Sequence, residues 1–292
     1  GQNLDELRQK AKKRTFKPVL LGTTTSLQVE VDKTSQSTAN VLALLPGSEQ
    51  PDEVVIYTAH HDHLGVDMDS DEKDRIYNGA KDNAAGVASV LAIAKAFKMA
   101  QSPPKRSVLF AFVGAEEQGL LGSAYFARYP TFEPGKIAAN VNIDSPQVYG
   151  KTSDISFIGY GRSSVDKIAE TVANFQSRSI TGDQNPSAGY FYRSDHFSLA
   201  KIGVPSINYK GGSQFTGAQF SSIDVLQARY VAELYHQPSD EIESNWVYEG
   251  LVEDAQFGFY SGWLLANQRE LPAWRPGDEF EAPRIKAITN SN

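Results

Sequence analysis

The chain reads as an α/β protein, with a mostly parallel or mixed central β-sheet and helices on both faces. Three observations predict this. Short apolar runs bounded by turn signals recur along the sequence, and Ser107–Val113 (SVLFAFV) is nearly continuous, as in strands buried on both faces. The segment Asn83–Lys98 carries Val87, Val90, Leu91, Ala94 and Phe97 at helical spacing, giving one apolar face. Strands then alternate with helices, the order that builds a sheet flanked by helices.

Residues 3–14 (NLDELRQKAKKR) have the pattern of a short amphipathic helix, and the Thr/Ser-rich stretch from Gly22 to Asn40 reads as strand-and-loop material. Val41–Leu45 and Val54–His60 follow as buried strands, bounded by Pro46-Gly47 and Pro51-Asp52. After the helix, Pro103-Pro104 ends the connection to Ser107–Val113. Ile137–Asp144 and Ile155–Tyr160 repeat the strand pattern, with helical segments near 163–175 and 250–268. The tail from Pro272 (PAWRPGDEFEAP) reads as an irregular wrap with a frayed end. The expected organisation is therefore an N-terminal helix and lead-in packing on the main domain (residues 1–38), that main domain (39–270), and an irregular tail (271–292).

Composition removes several function classes. A formal net charge of −7 and no Lys/Arg-rich stripe argue against a nucleic-acid partner, and Lys10–Arg14 (KAKKR) reads as a solvated helix face. With no cysteine, neither a disulfide scaffold nor a thiolate metal site can form. No apolar stretch approaches the roughly 20 residues of a membrane-spanning segment. The chain opens on Gly1 rather than Met, without the basic start and apolar run of a signal peptide, so we expect a trimmed form. Nothing in the sequence indicates an oligomeric state.

All five histidines fall in three places: His60, His61 and His63 together, then His196, then His236. His60 closes the strand VVIYTAH, Glu116-Glu117 follow SVLFAFV after a two-residue turn, and Asp144 closes IAANVNID. Ligands in open α/β sheets bind beyond the carboxyl ends of strands, so three strands deliver potential metal ligands to one rim. Asp82 stands at the head of the strongest helix, after Asn78-Gly79-Ala80, where a carboxylate also reads as an N-cap; the two roles do not exclude each other. His236 lies in Tyr235-His236-Gln237-Pro238-Ser239-Asp240, just past a helix; alone it would be read as structural. Imidazoles and carboxylates without thiolate suit zinc, with cobalt or manganese as the other ions such donors accept. Two histidines, two terminal carboxylates and one shared carboxylate would give each of two metals three protein ligands, leaving open positions for a bridging water. Asp62, two residues after His60, is placed to hold the other nitrogen of that imidazole with its carboxylate.

The segments Ala59-His60-His61-Asp62-His63, Asn78–Gly86 (NGAKDNAAG), Glu116–Ser123 (EEQGLLGS), Asn142-Ile143-Asp144, Arg193–Phe197 (RSDHF) and Tyr235–Asp240 (YHQPSD) together resemble the M28 family of zinc aminopeptidases. The blocks occur in the family's order over about residues 40–265. The resemblance implies a zinc-exopeptidase-like sandwich, a catalytic role for residues 39–270, and two zinc ions. Asp82 would bridge the ions; His60 and Asp144 would complete one site, Glu117 and His236 the other. Glu116 would be the general base, and Tyr235 would polarise the scissile carbonyl, a role for which Tyr190 and Tyr192 compete. Peptides would be the substrates. Many bacterial-looking relatives are exported, which implies a periplasmic or extracellular location. Two positions depart from the family pattern: His61, where aromatic or aliphatic residues are common, and Lys81, where many members carry Asp.

Three signals carry less. Asp67-Met68-Asp69-Ser70-Asp71 opens like a calcium loop but has Glu72 and Asn78 where Gly and Glu belong. Gly159-Tyr160-Gly161 has Ser164 in place of the third glycine of a dinucleotide turn. Ser194-Asp195-His196 are adjacent residues, which do not make a triad, so His196 reads as structural or supporting. The leading functional expectation is removal of the N-terminal residue of peptides. A carboxypeptidase or dipeptidase of the same family, a glutaminyl cyclase-like enzyme, and a non-catalytic binding module are the alternatives; the complete ligand set argues against the last.

Overall fold

The computed structural model describes residues 2–216 and 223–291. The chain divides into two compact units, one ending at Ser37 and the other beginning at Thr38. In the first unit α1 (Leu4–Ala11) is the one regular element among the described residues. The Asn3 side chain caps it, accepting from the backbone N–H groups of Asp5 and Glu6 at 3.0 and 3.2 Å. Acidic Asp5 and Glu6 in its first turn and basic Arg8 and Lys10 in its last complement the helix dipole, and none of its residues is buried. The helix is thus shorter than the span 3–14, and no strand forms among the described residues of 22–39. Leu27, Val29 and Val31 alternate with polar residues there, but all three are exposed, so no apolar burial favours a strand.

The second unit holds β1 (Val41–Leu45), β2 (Gln50–His60), β3 (Gly65–Val66), β4 (Ile76–Tyr77), β5 (Arg106–Val113), β6 (Ile137–Asn142), β7 (Asp154–Ile158), β8 (Ser179–Gly182) and β9 (Ser206–Gly211). Its helices are α2 (Ala85–Met99), α3 (Leu121–Arg128), α4 (Asp166–Phe175), α5 (His196–Lys201), α6 (Ile223–Arg229), α7 (Tyr248–Asn267) and α8 (Glu281–Asn290). Seven strands form one mixed sheet in the order β1-β5-β2-β6-β9-β7-β8, while β3 and β4 make a separate ribbon. The central four, β5, β2, β6 and β9, run parallel. β1 and β7 join them antiparallel, and β8 runs parallel to β7.

Side-chain alternation explains why the central strands read as continuous apolar runs. Val55, Tyr57 and Ala59 of β2 and Val108, Phe110 and Phe112 of β5 face one layer, packed with Val90, Ile93 and Phe97 of α2 and Phe257 and Leu265 of α7. The residues between them, Val54, Ile56, Leu109, Ala111 and Val113, face the other layer with Phe126 of α3 and Leu199 of α5. Both faces are covered, so neither needs polar residues. Helix α7 approaches the sheet through two glycines: a Cβ on Gly262 would stand 1.7 Å from the Tyr57 hydroxyl oxygen, and one on Gly258 would stand 2.2 Å from that of Tyr209. The Tyr57 hydroxyl donates to the Gly258 carbonyl at 2.8 Å.

The structure corrects the expectation of an irregular tail. Residues 281–290 form α8, and its one buried residue, Arg284, donates to the carbonyls of Ile137 at 2.8 Å and Pro272 at 3.0 Å. A helix anchored by a guanidinium rather than an apolar stripe leaves no hydrophobic periodicity to read. Among the described residues, no helix is long and apolar enough to cross a membrane.

Candidate metal centre

Parallel pairing brings the sequence-predicted rim together. In the β2–β5 ladder His60 lies opposite Val113, so the loop beginning at Gly114 emerges beside it. In the β2–β6 ladder Thr58 lies opposite Asn142, which puts Asp144, two residues past the strand, next to His60 on the other side. The His60 Nε2 atom is 3.3 Å from Asp144 Oδ1 and 3.1 Å from Asp82 Oδ1. His236 arrives from the segment after α6, in the left-handed region at φ 59°, and its Nε2 lies 3.0 Å from Glu117 Oε2 and 3.7 Å from Asp82 Oδ2.

Three groups of potential ligands result: His60, Asp82 and Asp144; Asp82, Glu117 and His236; and His60, Glu116 and Glu117. Within each group the ligand atoms lie within 4.8 Å of one another, and Asp82 belongs to the first two. His61 points elsewhere, its Nε2 resting 3.0 Å from the Ala39 carbonyl oxygen.

Asp82 is not a helix cap. Helix α2 starts at Ala85, and Asp82 has non-helical backbone angles (φ −116°, ψ 86°) inside the preceding turn. Its carboxylate is therefore free of the helix N-terminus and turns to the two imidazoles. The turn is held from outside: the Asp240 carboxylate accepts the backbone N–H groups of Lys81 at 3.1 Å and Asp82 at 3.0 Å. Lys81 sends its ammonium to the Ser145 hydroxyl at 2.8 Å and over the Tyr230 ring, 4.0 Å from the centroid.

Asp62 departs from expectation. The nitrogen Nδ1 of His60 sits 3.1 Å from the Asp62 backbone carbonyl oxygen, while the Asp62 carboxylate is 3.9 Å away. The chain turns back directly after His60, so the main chain meets the ring and the carboxylate reaches onward to the next loop. There it accepts the backbone N–H groups of Glu116 at 3.1 Å and Glu117 at 3.4 Å.

Other supporting residues carried no assigned role in the sequence reading. The Ser194 hydroxyl donates to Asp144 Oδ2 at 2.5 Å and accepts from the Asn142 amide at 2.8 Å. Ser194 and Asp240 both lie inside recognisable motif blocks, a signal that marks the neighbourhood but not the contact. His196 is fully buried, edge-on to Phe191 with ring centroids 4.9 Å apart, a packing position. Burial depresses its pKa to about 4.

The electrostatics are those of crowded carboxylates. Burial pulls the His60 pKa down, but the Asp144 and Asp82 carboxylates outweigh it and hold the ring strongly protonated. Burial pushes Asp82 up, yet the two imidazoles bring it well below the usual carboxylate range. The Asp82 carboxylate raises His236, with the Glu117 charge adding to it against burial. Glu116 is pushed up to about 9, chiefly by burial and then by the charge of Asp144.

Among the tyrosines, Tyr235 stacks on His236 with ring centroids 3.8 Å apart. Burial raises its pKa to about 12, and the charges of Asp82 and Glu117 add to it, so its hydroxyl stays neutral. The Tyr192 hydroxyl instead donates to Glu279 at 2.7 Å, and the Tyr190 ring lies 5.6 Å from the Arg193 guanidinium carbon.

Comparison with known proteins bears on the fold and the family. A Bacillus subtilis structure described as BSAP, a zinc aminopeptidase, superposes with a TM-score of 0.58 at 22% identity, over 79% of this chain and 51% of that one. A probable zinc metalloprotease from Pyrenophora teres f. teres (strain 0-1) is 27% identical over 261 residues, 80% of this chain and 53% of the relative. Aminopeptidase YwaD from Bacillus subtilis (strain 168) is 25% identical over 221 residues, 72% of this chain and 41% of the relative. The chain spans about half the length of these relatives. The profile of Peptidase family M28 matches residues 40–255, which include every residue of the acidic rim, and the chain belongs to that family.

Proposed function

We propose that this chain is the catalytic part of a two-zinc exopeptidase that releases the N-terminal residue of peptides. The observation that carries the reading is the sharing of Asp82 between two three-residue donor groups. The donor set fits metal ions: four carboxylates crowd two imidazoles, and Nε2 of each ring faces two carboxylates, His60 those of Asp82 and Asp144 and His236 those of Glu117 and Asp82. His60, Asp82 and Asp144 would hold one ion, and Asp82, Glu117 and His236 the other. Imidazole and carboxylate donors without thiolate suit zinc. The names of the relatives, a zinc metalloprotease and aminopeptidases, support zinc and the N-terminal direction.

When bound, such ions lower the pKa of water toward neutrality and polarise a carbonyl. The protein's part is positioning and proton transfer. Glu116 would take the proton of the attacking water and pass it to the departing amine. The neutral hydroxyl of Tyr235, stacked on His236, would donate to the scissile carbonyl oxygen as charge develops on it.

Metal analysis together with a substrate panel tests the reading. The protein should hold about two zinc-class ions, as a co-catalytic site requires. It should cleave free aminoacyl substrates and leave N-blocked peptides intact. One ion or none would refute the dinuclear centre, and preferential cleavage of N-blocked peptides with free carboxyl ends would make it a carboxypeptidase.

A further inference from the structure

We propose that His63 is a positioning residue for Glu117, fixing one carboxylate oxygen so that the other is presented to the ion shared with His236. The inference rests on the two-ion reading above.

Glu117 has two oxygens with different neighbours. His63 Nδ1 lies 2.7 Å from Oε1, while His236 Nε2 lies 3.0 Å from Oε2. The side chains of His63 and Glu117 are 6% and 5% exposed, so water does not compete for the contact. His63 also packs edge-on against the His236 ring, with centroids 5.5 Å apart. It therefore touches two of the three side chains that would hold one ion. It belongs to none of the potential ligand groups among the described residues. A carboxylate oxygen facing a ring nitrogen at this distance accepts a hydrogen bond, so Nδ1 carries the proton.

The backbone makes room for this ring. Gly79, at φ +62°, sits against it, and a Cβ there would stand 2.8 Å from His63 Cγ and 2.5 Å from the Asp82 carbonyl oxygen. The same turn that delivers Asp82 thus leaves the space that His63 fills. Outer hydrogen bonds of this kind orient a ligand, and losing one typically costs roughly 10–100-fold in metal affinity.

Two substitutions separate positioning from ligation. His63→Phe fills the space but removes the donor; His63→Asn keeps an amide N–H near the Nδ1 position. Zinc binding by chelator competition, with the electronic spectrum of the cobalt-loaded protein, reads the two sites without reference to turnover. The expected result is one ion weakened roughly 10–100-fold in His63→Phe, the other unchanged, and most of the affinity regained in His63→Asn. The retained ion also reports that the variant has folded; if His63→Phe lost both ions by misfolding, His63→Asn with near wild-type affinity would still support the proposal. Unchanged affinity for both ions in His63→Phe overturns it. So does complete loss of one ion in both variants, which would make His63 a ligand. A wild-type protein that binds fewer than two ions refutes the dinuclear reading and this inference with it, an outcome visible before any variant is made.

Discussion

The carboxylate of Asp62 lies 3.1 Å from the backbone nitrogen of Glu116 and accepts its N–H, while the Asp62 carbonyl oxygen lies 3.1 Å from the imidazole of His60. One residue thus ties the end of β2 to the loop after β5. The loop carries two adjacent glutamates with different surroundings: Glu117 faces His236 and His63, and the Glu116 side chain has neither partner. Fixing both backbone N–H groups from one carboxylate sets which way each side chain leaves the chain.

Asp62→Ala should therefore lower kcat by roughly 10–100-fold, the usual effect of losing an outer hydrogen bond, while KM changes little. Metal content should stay near that of the wild type, because the carboxylate's hydrogen bonds go to backbone N–H groups and its contact with a proposed ligand side chain, His60, is a long one at 3.9 Å. Steady-state kinetics paired with metal analysis checks this. An unaltered kcat would mean that the loop holds its shape without Asp62.

Glu116→Gln keeps the size of the side chain and removes its ability to accept a proton. With both ions retained, turnover should fall by at least about 10²-fold and up to about 10⁴-fold, the range for a general base. Glu117→Ala should do something different and weaken one of the two ions. Near-normal activity in Glu116→Gln would remove Glu116 from the reaction.

The contrast between these two glutamates shows how much the sequence could reveal. The central strands were legible because both of their faces are buried, so β2, β5 and β6 appear as apolar runs with chemistry at their ends. His60, Glu116, Glu117 and Asp144 followed from that. The supporting contacts were not legible, since Asp240 meets Asp82 and Ser194 meets Asp144 across long stretches of chain that only the fold closes. Strand β9 was missed because SINYKG alternates polar and apolar residues at the centre of the sheet, where Asn208 meets the Asn142 amide at 3.3 Å. Helix α8 was missed because its buried anchor is Arg284.

The tyrosines give a differential prediction. Tyr235 borders the acidic rim, whereas the Tyr192 hydroxyl is committed to Glu279 at 2.7 Å. Tyr235→Phe should reduce kcat by roughly 10²–10³-fold, as loss of one donor to a developing oxyanion does, with KM nearly constant. Tyr192→Phe should leave kcat within about twofold of the wild type, since the lost hydrogen bond is an exposed one to Glu279. The reverse pattern would transfer the role to Tyr192.

His196 predicts a pH dependence of stability from a buried ring outside the candidate ligand groups. Burial depresses its folded-state pKa from the ordinary 6.5 to about 4, and the ring is fully buried beside Phe191. Below pH 6.5 the unfolded chain takes up a proton that the folded chain refuses. The associated stability, about 3 kcal/mol for a shift of this size, is present above pH 6.5 and lost as the pH falls toward 4. His196→Gln removes the titration. Between pH 6.5 and 4 the unfolding free energy of the wild type should fall more steeply than that of the variant, by up to about 1.4 kcal/mol per pH unit. Denaturant unfolding at several pH values, with the two slopes compared, reads the effect directly and cancels every other titrating group. Parallel slopes would mean that the buried ring is protonated as readily in the folded chain as in the unfolded one.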